Sequence, residues 1–169
     1  MNSSFPYSFQ PLGDHDRKSF SCGIPELDQY LHIQAGQDAK RKVAAPFVMV
    51  DQEHRIVGYY TLSAYGIRAT DLPSAVAKKL PKYPLIPATL LGRLAISQEH
   101  QGQKLGGLSL MDVLHRSWKN TAEVASVGVV AETINDKARR FYLHHEFLAL
   151  AEHPRKVFIA MGTIKKALG

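Results

Sequence analysis

The chain has 169 residues, 45% of them hydrophobic and 21% charged, the balance of one folded domain and not of a disordered tail. Lysine and arginine outnumber aspartate and glutamate by 21 to 15, a net charge of +6, which attracts polyanions. The single cysteine, Cys22, excludes an internal disulfide and a multi-cysteine zinc site, while no run reaches the roughly 20 apolar residues that span a bilayer and Met1 to Pro6 lacks a signal-peptide pattern, so a cytoplasmic protein is expected.

Asp14 to Phe20 reads as polar loop, and Pro25 to Ala39 spaces Leu27, Tyr30, Leu31 and Ile33 as an amphipathic helix. Phe47 to Val50 and Ile56 to Leu62 flank the polar turn Asp51 to His54, an antiparallel hairpin. A short helix is predicted over Asp71 to Lys79, ended by a stretch in which Pro84 and Pro87 exclude helix. Ala88 to Ser97 reads as a buried strand running into a glycine-containing loop. From Leu105 onward Leu108, Met111, Leu114 and Trp118 recur at helical spacing, with Asp112, Arg116 and Lys119 facing out. Val124 to Ala131 has the composition of a central strand covered on both faces. Asn135 is a good N-cap for a helix through Leu143. Phe147 to Leu150 and Val157 to Met161 then read as two last strands joined around His153-Pro154. The order predicts one domain over residues 1–169, an α+β, three-layer arrangement with a mixed central sheet flanked by helices.

The chemistry concentrates in Gln101 to Gly107. A strand that runs into glycines and then a helix leaves backbone N–H groups aimed at one spot, which suits a phosphate; a purely structural turn has the same pattern. The P-loop lysine and hydroxyl are missing, as is G-x-G-x-x-G. The basic clusters Lys40-Arg41-Lys42, Lys78-Lys79, Lys82, Arg139-Arg140 and Lys165-Lys166 form a polyanion surface only if they share a face, and are otherwise solvated charge. The eight histidines show no metal spacing: His144 and His145 are adjacent and expected to point to different helix faces, so no metal is expected.

Gln101-Gly102-Gln103-Lys104-Leu105-Gly106 resembles the Q/R-x-x-G-x-G/A signature of the GNAT acetyltransferases, and Asn135 followed by Ala138-Arg139-Arg140-Phe141-Tyr142 is similar to that family's N-x-x-A-x-x-F-Y helix. Phe20 to Leu31, Gly58 to Ser63 and Leu91 to Ala95 look like the narrower pattern of the GNAT toxins. The likeness runs from about residue 18 to 163. Two positions depart from it: Lys104 stands where the signature has its first glycine, and His145-Glu146 replaces Phe-Gly ahead of Phe147.

The resemblance implies acetyl transfer from acetyl-coenzyme A to the α-amine of the amino acid on charged tRNA. It implies that Leu94, Ala95 and Ile96 pair with the pantetheine arm, that Gln101, Gly102, Gln103, Lys104, Leu105, Gly106 and Gly107 hold the pyrophosphate, and that Asn135 and Phe141 belong to the same coenzyme site. Tyr142 would give the thiolate its proton. Arg93 would meet the acceptor's phosphates, with Lys40 and Arg41 as further contacts to tRNA. An antitoxin with a ribbon-helix-helix part is implied as partner, with DNA reached only through it, and a homodimer as assembly. The alternatives are a GNAT enzyme of a small-molecule or peptide amine, and a binding module that has lost turnover through Lys104. A tyrosine that follows phenylalanine on a helix is also a common core residue, and Arg93 could be a plain ion-pair residue.

Overall fold

The structure is a computed structural model that describes residues 5–169; Met1 to Ser4, part of the opening segment read for a leader, lie outside them. The elements in order are β1 (Ser8–Pro11), α1 (Pro25–Gln29), a π-helical segment (Tyr30–Gln34), α2 (Ala35–Arg41), β2 (Ala45–Val50), β3 (Ile56–Arg68), α3 (Ser74–Ala77), β4 (Leu85–Ile96), α4 (Leu105–Asn120), β5 (Gly128–Glu132), α5 (Asp136–His144), β6 (Leu148–Leu150), β7 (His153–Ala160) and α6 (Met161–Leu168). The strands form one mixed sheet in the order β1-β2-β3-β4-β5-β7-β6. β4 and β5 run parallel, while β1 with β2, β2 with β3, β5 with β7 and β6 with β7 are antiparallel.

The chain divides into two compact units, Met1–Ser63 with Arg93–Asp112, and Ala64–Gly92 with Val113–Gly169. In the first, the apolar stripe Leu27, Leu31 and Ala35 packs with Val48, Val50, Ile56, Tyr59 and Phe20. Met49, on the opposite side of β2, packs with Val57 and Leu105; a strand covered on both faces needs no alternation, which is why Phe47 to Val50 is apolar throughout. In the second unit Ile67, Leu72, Ile86, Ala88, Val130, Leu150 and Phe158 make the core. A Cβ at Gly128 would lie 2.3 Å from the Ile159 carbonyl oxygen, so the β5–β7 ladder closes there only around glycine.

The predicted hairpin is present, with Phe47 opposite Tyr60 and Val48 opposite Tyr59. Other elements differ from the sequence reading. The first helix runs to Arg41 and is interrupted by the π segment, where the Ala35 N–H donates to the Tyr30 carbonyl five residues back. The helix expected over Asp71 to Lys79 shrinks to Ser74–Ala77 behind a 3-10 turn at Ala69–Asp71. β5 begins only at Gly128, and Val124 is 61% exposed. β7 starts at His153, so the joining turn is Ala151-Glu152 and not His153-Pro154. On α4 the buried stripe is Leu105, Ser109, Leu110, Val113, Leu114 and Ser117, while Leu108 and Met111 face outward and Asp112 accepts from the buried Tyr60 hydroxyl at 2.5 Å. β1 and α6 were not anticipated.

Candidate functional site

In the first unit β4 passes through Ser97 and a 3-10 turn, Gln98–His100, into the exposed stretch Gln101 to Lys104 and then α4. Gly102 has φ 84° with nothing near a notional Cβ, and Lys104 has φ 63°. The departure at Lys104 is therefore a real strain, since an L side chain in left-handed backbone costs about 1 kcal/mol or more. The Leu108 N–H is the first to find a helical acceptor, the Lys104 carbonyl at 3.3 Å. Leu105, Gly106 and Gly107 thus present first-turn N–H groups, the partial positive charge of a helix start, to whatever lies ahead.

Gln101 behaves differently from its sequence reading. Its side-chain amide donates to the carbonyls of Cys22 at 3.0 Å and Ile96 at 2.9 Å, so this side chain ties the loop to the segment before α1, and only its backbone remains for a ligand. That segment is fixed in turn by Asp28, which the motif reading did not single out: its carboxylate accepts from the Cys22 N–H at 2.7 Å and the Ser21 hydroxyl at 3.2 Å. Partial burial pushes the Asp28 carboxyl up, and the hydrogen bonds from Cys22, Ser21 and Gly23 outweigh it, holding it below the usual carboxylate range. The signal is the aspartate three residues before the end of Phe20 to Leu31, legible as a short-range cap of the preceding turn. Burial pushes the Cys22 thiol up to about 11, which leaves it protonated and unreactive at neutral pH.

Arg93 lies half-buried on β4 with its guanidinium carbon 3.5 Å above the centroid of the Tyr30 ring. Tyr30 is buried, donates its hydroxyl to Asp38 Oδ2 at 2.7 Å and stacks on Tyr59 at 6.3 Å with 15° between planes. Hydrogen bonds from Gln34 and Tyr30, with Arg93 and Arg41 nearby, hold the Asp38 carboxyl below its ordinary range. Lys40 and Arg41 are exposed in the last turn of α2. Two of the three basic residues expected to meet the acceptor, Arg93 and Arg41, thus lie near Asp38. Leu94 and Ile96 are half-buried and Ala95 is buried. Among the described residues, the β4–β5 register ends at Leu91 opposite Ala131, so none of the three pairs with β5.

In the second unit Asn135 caps α5: its Oδ1 accepts from the Ala138 N–H at 2.8 Å, which leaves the amide N–H groups for another partner. Tyr142 is buried between Phe141 and Phe147, with ring centroids 5.2 Å from each. Its hydroxyl has no hydrogen-bond partner among the described residues, and burial pushes its pKa well above the ordinary tyrosine range. It is protonated throughout the neutral range. His145 donates from Nδ1 to the Phe141 carbonyl at 2.8 Å. The rings of His144 and His145 meet edge to face at 5.2 Å instead of pointing apart. Among the described residues no group of three His, Cys, Asp or Glu could hold a metal ion, and no helix is long and apolar enough to cross a membrane. Glu146 takes φ 71° where the helix is left, and the Phe147 N–H closes on the Tyr142 carbonyl at 3.2 Å.

No protein-family profile matches the chain. Among curated proteins it is 29% identical over 154 residues, 91% of each chain, to the tRNA-acetylating toxin of Mycobacterium tuberculosis. It is 26% identical over 163 residues, 92% of this chain and 90% of the other, to the probable toxin TacT of Sinorhizobium fredii. Among solved structures it resembles a mutant of KacT with TM-score 0.91 and 28% identity, covering 96% of this chain and 99% of that one. AtaT complexed with acetyl-methionyl-tRNAfMet gives TM-score 0.89 and 28% identity with the same coverage. AtaTR bound with acetyl-coenzyme A gives 0.86 and 26%, over 97% of this chain and 99% of that one.

Proposed function

We propose, for a chain that belongs to the GNAT acetyltransferases and stands with their toxin branch, that it moves an acetyl group from acetyl-coenzyme A to the α-amine of the amino acid on charged tRNA, and so blocks translation. The observation that carries this reading is the likeness along nearly the whole chain to a toxin solved with acetyl-methionyl-tRNA.

The reaction needs a neutral amine, a polarised acetyl carbonyl and a proton for the departing thiolate. An aminoacyl ester lowers the pKa of its α-amine to about a unit below the 7.7–8.0 of a free terminus, so water suffices as base. The backbone of Leu94, Ala95 and Ile96 receives the pantetheine arm as an added strand, and one of its N–H groups polarises the acetyl carbonyl. The absence of β5 partners at these residues supports this role. First-turn N–H groups of Leu105, Gly106 and Gly107, with the backbone of Gln101, Gly102 and Gln103 and the Lys104 ammonium, hold the pyrophosphate. Asn135 keeps its amide donors for the pantetheine while capping its helix, and Phe141 packs beside it. Tyr142 gives its proton to the sulfur; a buried, unpartnered, protonated hydroxyl suits that task. Arg93, Lys40 and Arg41 face the phosphates of the acceptor.

The protein acts as one catalytic domain over residues 1–169, in the cytoplasm where charged tRNA is found, and pairs with itself as a homodimer. Its partner is an antitoxin with a ribbon-helix-helix part, through which any DNA contact runs. Radiolabelled acetyl-coenzyme A offered to a total charged tRNA pool, with uncharged tRNA and a polyamine panel beside it, tests the reading. Label on charged tRNA alone is expected; label on small amines alone would move the chain to the small-molecule acetyltransferases.

A further inference from the structure

Arg93 is held in an unusual way for a basic residue. Its guanidinium is half-buried, yet it makes no ion pair or hydrogen bond among the described residues; what it touches is the flat face of Tyr30, 3.5 Å below. A guanidinium stacked on a ring has its π face occupied and all five N–H donors left around its edge, the geometry that binds a phosphate through two parallel hydrogen bonds. The ring beneath is itself immobile. The Tyr30 hydroxyl is tied to Asp38, Asp38 to Gln34 Nε2 at 2.9 Å, and the Tyr30 ring lies nearly parallel to that of Tyr59, with centroids 6.3 Å apart. Tyr59 in turn donates to the Leu27 carbonyl at 2.7 Å and meets the edge of Phe20 at 5.6 Å. Arg93 thus rests on a ring that is itself held, at its hydroxyl by Asp38 and at its side by Tyr59.

We infer that Tyr30 is a positioning residue for the acceptor: through the ring face that Asp38 fixes, it orients the edge of Arg93 toward a phosphodiester of the charged tRNA. The inference rests on the acceptor reading given above and adds to it a residue that touches neither tRNA nor coenzyme. A free arginine would lose side-chain freedom on each binding event, whereas the stacked one has lost it already, so the platform acts on affinity for the acceptor and not on the chemical step. A lysine at position 93 keeps the charge but has neither the flat face nor the fork.

Steady-state kinetics of the full chain with acetyl-coenzyme A and a charged tRNA pool decide the matter, using Tyr30→Leu, Tyr30→Phe, Arg93→Ala, Arg93→Lys and the double variant Tyr30→Leu/Arg93→Ala. Tyr30→Leu is expected to raise KM for charged tRNA about fivefold, with kcat and KM for acetyl-coenzyme A unchanged. Tyr30→Phe, which keeps the ring but loses the Asp38 latch, should fall between the parent and Tyr30→Leu, with KM for charged tRNA raised about twofold. The double variant should be no worse than Arg93→Ala, because the platform has no effect without the group it carries. Penalties that multiply in the double variant, or equal losses in Tyr30→Phe and Tyr30→Leu, overturn the inference while leaving the reaction intact. If Tyr30→Leu does not fold, Arg93→Lys takes its place: a KM equal to the parent's means charge alone suffices and the inference fails. A parent enzyme that labels no charged tRNA sinks the acceptor reading and this inference together, an outcome distinct from all the others.

Discussion

Lys104, ahead of α4, and Glu146, behind α5, hold nearly the same left-handed backbone, at φ 63° and 71°. Both stand where the resembled motifs carry glycine. Both also bring the wrong charge to a helix end, a cation to the positive start of α4 and an anion to the negative finish of α5, so each costs backbone strain and an unfavourable dipole contact. The difference is what lies in front of them. The loop of Lys104 presents unpaired N–H groups, so the pyrophosphate proposed to bind there would replace the dipole penalty with an ion pair and offset the strain, whereas the Glu146 carboxylate makes no hydrogen bond or ion pair among the described residues. A residue that violates local rules is a pointer to a ligand only when the surrounding backbone asks for one too.

The largest effect that would sharpen this contrast belongs to Tyr142, the proposed proton donor near the end of α5. Tyr142→Phe should lower kcat about a hundredfold or more with little change in melting temperature, because the hydroxyl it removes has no partner to lose. A variant that keeps full turnover would leave α5 as packing. Raised by burial, the Tyr142 hydroxyl remains protonated as pH climbs, so the rate should rise as the acceptor amine deprotonates and then stay level to about pH 10, the ordinary tyrosine value; a pH–rate profile that falls earlier contradicts the assignment.

Next comes Lys104→Gly, for which KM for acetyl-coenzyme A should rise about fivefold and lose part of its salt dependence, even as thermal stability increases. A tighter KM would break the comparison and make Lys104 a second Glu146. Asn135→Ala should cost about 1 kcal/mol of stability through the lost cap, readable in urea unfolding, and should weaken acetyl-coenzyme A binding as well if its amide donors meet the pantetheine. Smallest is Glu146→Gly, expected to gain up to about 1 kcal/mol in the same unfolding assay and to leave both KM values where they are.

The parts of the molecule that were legible in the sequence are those governed by short-range rules. The hairpin followed from two β-rich runs around a polar turn, and Asn135 from its place ahead of a helical stripe. The strain at Lys104 followed from a side chain in a glycine position. Elements whose signal is short or ambiguous were missed or misplaced. β1 is four residues ending in proline, and α6 follows β7 directly, with an N-cap, Ala160, that makes no side-chain bond. The stripe of α4 was assigned to Leu108 and Met111 because spacing does not say which of two apolar faces is covered. Within the site, nothing in the sequence tells that the Gln101 amide serves the Cys22 and Ile96 carbonyls. The stacking of Arg93 on Tyr30 joins residues far apart in the chain and leaves no local trace in either segment.

The π-helical turn at Tyr30–Gln34 carries one residue more than an α-helical turn would. Everything after it is therefore indexed to that insertion. Were the same residues wound as a regular α-helix, Asp38, eight positions on from Tyr30, would stand roughly 80° round the axis from it; the extra residue taken up by the π turn brings it back onto the face of the tyrosine. Without the π turn the tyrosine would lose its carboxylate latch, and Lys40 and Arg41 would face a different quarter of space. A substitution that regularised this turn without shortening the chain would act as a change of aim, whereas a one-residue shortening would leave Asp38 facing Tyr30.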